Sequence, residues 1–445
     1  MLVSLSPVKA LALFALLPLA ASAEKPFVLR VIDAETKRPV PLIRVTTTHQ
    51  LSEFTDNAGM ATFDDPDLLG REVWFGLSGH GYELKADGFG NRGVRLTPRP
   101  GESATVEIRR LLAAERIQRL TGGGLLYHQQ RFTGASVPPP AGLVFGCDTV
   151  DTAEHGGKRY WLWGDTSRPG YPLGNFDTTL ATTAPVAKPD EPVRYDYFTQ
   201  PDGFVKRAAP IAGTGPTWLG ALVSLKDQAG KAHLVASYAK IKPPMDTYER
   251  GLCEFDEAEQ VFKKVLALPL DSKRFPDGHA FRHDGRVFFG QATPALSIPD
   301  NYEAWRTPAS YTAVACDTAF TDATTGKPVK AHNGSVAWNP WRKKWTSVFT
   351  ESNGTSALGE IRYAEADTPQ GPWRKCVKIV THDRYTFYNP LQHPELAEDG
   401  GRVIWFEGTY TATFSGNPDP TPRHDYNQVL YRLDLADPRM KAAME

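Results

Sequence analysis

Carboxylates are the residues of this chain best placed to do chemistry. Asp148 lies in Gly146-Cys147-Asp148-Thr149-Val150, and Asp165 ends the apolar run Trp161-Leu162-Trp163-Gly164-Asp165-Thr166. Glu351 and Glu407 also follow strongly apolar runs. Two carboxyl groups, one protonated and one ionised, can together protonate a leaving oxygen and attack, or activate water, at the carbon it leaves. Asp148 with Asp165 is the first-choice pair, Asp148 as nucleophile or base and Asp165 as acid, or the reverse. Glu351 and Glu407 are reserve acids, since partial burial at a strand end keeps a carboxyl protonated near neutrality. Asn175, Asp177, Trp218, His279, Asn389, His393 and Tyr410 are candidates to bind the reacting molecule. Amides, imidazoles and aromatic rings of this kind grip hydroxyl-rich rings. Each also has a plainer reading: a turn aspartate capping amides, a tryptophan packed in the core, a histidine satisfied by neighbours.

Other chemistries lack their residues. His279 and His283 are four apart in a strand-like run, a separation of about 13 Å and too far for one ion. The four cysteines, Cys147, Cys253, Cys316 and Cys376, are too scattered for a zinc cluster, and three disulfide pairings or none fit equally well. No EF-hand loop, nucleophile elbow, phosphate-binding loop or dinucleotide fingerprint is present. The expectation is no cofactor and no metal ligand set, with a channel ion such as calcium left open. Lys+Arg 50 against Asp+Glu 51 gives no electrostatic case for nucleic acid or an anionic membrane.

The elements that must position these groups are strands. Gly 38 and Pro 36 make up about 17% of the chain against an average near 12%, and they bound many short apolar runs. Five runs opened by a basic residue recur, at Lys158, Lys231, Arg286, Lys344 and Arg402, spaced by 73, 55, 58 and 58 residues. Each follows a first strand, expected near 143–150, 217–225, 278–282, 334–339 and 389–396. Units of this length hold four strands, so residues 120–445 read as a five-bladed β-propeller, with 428–433 closing the ring. In that fold the start of each first strand and the end of each second share one mouth. There Asp148, Trp218, His279, Asn333 and Asn389 meet Asp165, Tyr238, Gln291, Glu351 and Glu407, while 406–411 and 423–427 form a wall.

Trp161-Leu162-Trp163-Gly164-Asp165-Thr166, Gly174-Asn175-Phe176-Asp177 and Tyr363-x-Glu365-Ala366-x-Thr368-Pro369-x-Gly371-Pro372-Trp373 resemble secreted five-bladed propellers related to furanosidase-type glycoside hydrolases. The resemblance implies an arabinan-like or other carbohydrate substrate. Residues 24–115 form alternating strands with Asp33-x-x-Thr36-x-x-Pro39 and Thr55-Asp56-x-x-Gly59 turns, and resemble a carboxypeptidase-regulatory, transthyretin-like antiparallel β-sandwich. Gly122-Gly123-Gly124 reads as a joint with no helix after it. Residues 1–23 read as a signal peptide, with Lys9, an apolar stretch over 10–20 and Ala21-Ser22-Ala23, too short to span a bilayer. The whole is expected to be an all-β periplasmic or extracellular protein without membrane insertion, a glycoside hydrolase or, alternatively, a non-catalytic glycan-binding propeller. A polysaccharide lyase is a third reading, one that would need a basic pocket.

Overall fold

A computed structural model describes residues 25–136, 141–185 and 191–444, with the side chains of 172–175 outside it. Residues 27–110 build two four-stranded sheets. One orders Met60–Phe63, Phe27–Asp33, Ser103–Arg110 and Tyr82–Glu83, the other Ser52–Phe54, Arg44–Thr47, Val73–Ser78 and Gly93–Leu96. Burial alternates along Val73–Ser78 and Ser103–Arg110, the period-two pattern of strands with one covered face. Leu29, Val31 and Ile108 from one sheet share a core with Val45, Phe75 and Leu77 from the other. The unit is not purely antiparallel as expected. Its first and last long strands, Phe27–Asp33 and Ser103–Arg110, pair in parallel, the intervening chain serving as the long crossover that parallel pairing requires.

Five further sheets form the blades of a propeller. Their inner strands are Val150–His155, Thr217–Lys226, His279–His283, Ala331–Asn339 and Thr386–Gln392. Each touches the next around a ring, and the fifth touches the first. Apolar side chains from neighbouring sheets mesh between blades. Leu162 of blade 1 shares a core with Leu222 and Leu234 of blade 2, Val235 of blade 2 with Phe289 of blade 3, and Val348 of blade 4 with Phe387 of blade 5. The second strands begin within a residue of the five recurring basic positions: Lys158–Trp163, Ala232–Lys242, Arg286–Gly290, Lys344–Glu351 and Val403–Thr411.

Ring closure differs from the expectation. The run at 428–433 lies within Asn427–Asp434, the third strand of blade 5, and Glu115–Arg119 pairs outside it as that blade's outer strand. The propeller is thus closed by chain that precedes its first blade. The stretch at 143–150 is also not an inner strand; it holds the end of a short turn, Ala141–Leu143, then Gly146–Cys147. A helix, Tyr127–Thr133, follows the glycine run, because His128 anchors it to the two-sheet unit by accepting hydrogen bonds from Thr62 N–H and Oγ1 at 3.2 and 2.8 Å. No cysteine is bridged, and three of the four are buried.

Candidate active site in the first hairpin

The first hairpin of blade 1 continues past the blade. Val150 pairs with Trp163 and, in the same register, Cys147 with Thr166, which sets Asp148 opposite Asp165. Asp148 N–H donates to Asp165 O at 3.1 Å and Gly164 N–H to Asp148 O at 2.8 Å. Between them Thr149 turns to φ 45°, and its N–H leaves the ladder for Thr409 Oγ1 of blade 5 at 2.8 Å. A ladder broken this way re-aims neighbouring side chains. The inner strands of blades 2 and 5 are distorted likewise, at Ala221 (φ 53°) and Asn389 (φ 52°). Gly164 is required by space, because a Cβ there would lie 2.2 Å from Asp148 Oδ1.

Both aspartates are half-buried and line one cavity. Asp148 Oδ2 accepts a hydrogen bond from Tyr388 Oη at 2.7 Å, and the Tyr426 phenol lies beside both carboxyls in the cavity wall. Burial raises the Asp148 carboxyl above its ordinary range, and the two phenols work against that rise. Asp165 is pushed up to about 7, first by burial and then by the charge on Asp148. Its Oδ1 is buried and accepts no hydrogen bond from the protein. One carboxylate braced by a donor beside one that holds its proton near neutrality is an arrangement that can serve as a general acid paired with a nucleophile or base.

The cavity, about 570 Å³, opens at the mouth between blades 5, 1 and 2 and is of small-ligand size. Its walls are Trp218, Leu219, Phe275, Tyr388 and Tyr426, with Asp277 at one side and Met245 and Phe414 on the rim. The last two are 65% and 66% exposed, so the rim presents apolar surface to solvent. Trp218 is held by its Nε1–H, which donates to Phe176 O at 3.0 Å.

Of the residues singled out in the sequence, Asp148, Asp165 and Trp218 meet in this cavity, and Asn389 braces its edge. The Asn389 amide donates to Thr149 Oγ1 at 2.8 Å and pairs with Asn333. Asp177 lies behind the wall, where it accepts from Thr217 N–H at 2.7 Å and pairs with Arg207 Nε at 3.0 Å. The side chain of Asn175 lies outside the described residues. His279 is buried in the channel wall, Nδ1 3.3 Å from Asp151, whose other oxygen accepts from Leu222 N–H at 2.9 Å.

Asp177 and His279 do not line the cavity, against expectation, and four further expectations are corrected. Glu351 is no free acid, because Arg362 holds it at 2.7 Å away from the cavity. Glu407 is wholly buried between blades 5 and 1, 3.0 Å from His393 Nε2. His393 is equally enclosed, its Nδ1 3.2 Å from Glu395, which pairs with Arg159 at 3.0 Å. Tyr410 is buried against His80 and Tyr385, its hydroxyl 2.9 Å from Thr421 Oγ1. In each case a partner on another strand or loop takes the group away from the mouth. Sequence reasoning missed Tyr388, Met245, Phe275 and Phe414. Tyr388 alone had a signal, as the residue before an inner-strand asparagine already singled out.

No protein-family model and no curated protein matches the chain. Among solved structures, it is similar to a candidate exo-β-1,3-galactanase from Bifidobacterium bifidum s17, with 12% identity, 73% of this chain and 94% of that one covered and a TM-score of 0.44. It is also similar to an N-acetylgalactosamine deacetylase from F. plautii, with 9% identity, 72% and 95% covered and a TM-score of 0.41. A third likeness is to the GH43_1 enzyme from Xanthomonas citri complexed with xylotriose, with 11% identity, 67% and 88% covered and a TM-score of 0.37. Identities this low, with TM-scores below 0.5, say nothing of activity.

Proposed function

We propose that this protein is a glycoside hydrolase in which Asp165 protonates the leaving glycosidic oxygen and Asp148 acts as nucleophile or as base on water. The observation that carries the reading is the asymmetric aspartate pair, Asp148 fixed by Tyr388 and Asp165 held near 7, in a cavity walled by aromatic rings. A sugar ring packs its C–H face on Trp218 while its glycosidic oxygen meets Asp165. The substrate is an oligosaccharide or polysaccharide, and a furanoside such as arabinan is the first to try. Action outside the cytoplasm is part of the proposal, supported by the sequence of residues 1–23, which reads as a leader and lies outside the described residues. No helix among the described residues is long and apolar enough to cross a membrane.

The test is reducing-sugar release from arabinan, galactan, xylan and a panel of algal and bacterial polysaccharides by the mature protein beside Asp148→Asn and Asp165→Asn. Loss of at least about 10²-fold in both variants on one substrate supports the reading. Retention of a glycan without turnover, unchanged in both variants, replaces it with a binding propeller.

A further inference from the structure

We propose that Tyr388 is a positioning residue that decides which aspartate of the pair is ionised, holding Asp148 as the anion and leaving the proton on Asp165. The inference deepens the hydrolase reading and rests on it for its consequence in catalysis, but its geometry stands apart from any substrate. A buried carboxylate keeps its charge only where donors replace water. Asp148 has such a donor of its own, Tyr388 Oη at 2.7 Å from Oδ2, while the Tyr426 phenol is shared between the two carboxyls. Asp148 Oδ1 rests on the bare Cα of Gly164, where no methyl group would fit. Asp165 is less well met: its Oδ1 is buried without a donor, and its remaining support comes from the shared Tyr426 and from Trp218, whose Nε1–H already donates to Phe176 O. An anion there would leave its Oδ1 desolvated and unmet, whereas the protonated acid costs less.

Both tyrosines are delivered by distorted backbone, which marks them as placed rather than incidental. Tyr388 stands where the ladder between Thr386–Gln392 and Val403–Thr411 shifts register, beside Asn389 at φ 52°. Tyr426 itself adopts φ 57°. Its carbonyl presses on Gly146, where a Cβ would lie 2.4 Å from Tyr426 O. Non-glycine residues in this region cost on the order of 1 kcal/mol or more and persist where surrounding structure fixes them. The two phenols thus reach the pair from separate segments of blade 5, and neither lies in the hairpin that carries the aspartates. They also act on a pair that cannot comfortably carry two charges, so a donor given to one member settles the proton on the other.

The experiment is a pH titration of side-chain carboxyl carbons in protein labelled with ¹³C-aspartate, assigned by the signals lost in Asp148→Asn and Asp165→Asn. In the parent the Asp148 signal titrates below that of Asp165. In Tyr388→Phe, which keeps the ring and its packing, the Asp148 midpoint rises by about one pH unit, the tenfold change in equilibrium expected of a lost charge-assisted hydrogen bond. Tyr426→Phe, which removes a phenol shared by both carboxyls, raises both midpoints and leaves their order unchanged. Reversed order in the parent, or an Asp148 midpoint unmoved in Tyr388→Phe, overturns the proposal. The titration needs no substrate, so a protein that hydrolyses nothing would sink the hydrolase reading while this inference is decided on its own signals.

Discussion

Gly164 is the residue on which the geometry of the pair turns, because its missing side chain is what lets Asp148 lie against the neighbouring strand. Gly164→Ala should push the carboxylate off its phenols and lower kcat by about 10²-fold, the scale of a 1 Å misplacement. Thermal unfolding of the variant should move little, which separates misplacement from misfolding; full activity in Gly164→Ala would contradict the geometry. At this scale the sequence shows the pair itself. Two aspartates at the ends of consecutive apolar runs are visible wherever a hairpin is legible, and Trp218 follows from the same rule. Glu351, Glu407, His393 and Tyr410 satisfy that rule equally well, yet Arg362, Glu395 and Thr421 claim three of them, and His393 itself claims Glu407. Those partners lie on other strands or on neighbouring loops, which strand periodicity does not place. Tyr388 was hidden for a related reason: a register shift at its own position decides which way it faces.

Among the elements, the seam between blades 5 and 1 carries a buried charge network that should govern alkaline stability. Burial alone would lower the His393 pKa, but hydrogen bonds to Glu395 and Glu407 outweigh it and raise the group to about 9. A histidine raised above its unfolded value of 6.5 stabilises fully below about pH 6.5, and that contribution is lost as pH rises through about 9. The contribution is on the order of 3 kcal/mol. Urea midpoints for the parent should therefore fall between pH 6.5 and 9.5 more steeply than those of His393→Gln, and parallel slopes would refute the assignment. The five second strands were legible from their opening basic residue and apolar run. The inner strands of blades 1 and 5 were displaced in the reading, because ladder breaks at Thr149 and Asn389 interrupt the alternation that marks a strand.

The molecule as a whole joins its two-sheet unit to the propeller through Arg116 and Arg119, both fully buried. Arg116 donates to Pro41 O at 3.0 Å, and Arg119 exchanges backbone hydrogen bonds with the Asn57 amide at 2.9 Å each. Because Glu115–Arg119 is also the outer strand of blade 5, a chain beginning at residue 120 should leave Asn427–Asp434 as an open edge and aggregate or unfold without cooperativity. A soluble, cooperatively folded product from that truncation would contradict the closure. Four histidines, His80, His128, His382 and His424, sit in this junction, each pushed down chiefly by burial, the first two to about 3. Groups lowered this way stabilise fully above about pH 6.5 and progressively lose that contribution as pH falls toward 3. Urea midpoints should drop between pH 6 and 4, and His80→Phe, which keeps the ring contacts to Tyr385 and Tyr410, should flatten that fall.

The repeat spacing made the ring legible from sequence, but not its closure by Glu115–Arg119, which lies more than 300 residues from its partner strand. The claim that rests on all three scales is hydrolysis by the aspartate pair. Its most direct test is the pH dependence of kcat/KM on the best substrate of the polysaccharide panel. The profile should be a bell whose alkaline limb falls near pH 7 as Asp165 gives up its proton, with Asp165→Asn losing activity across the range. A profile level from pH 5 to 9, or an Asp165→Asn variant that turns over like the parent, would contradict it.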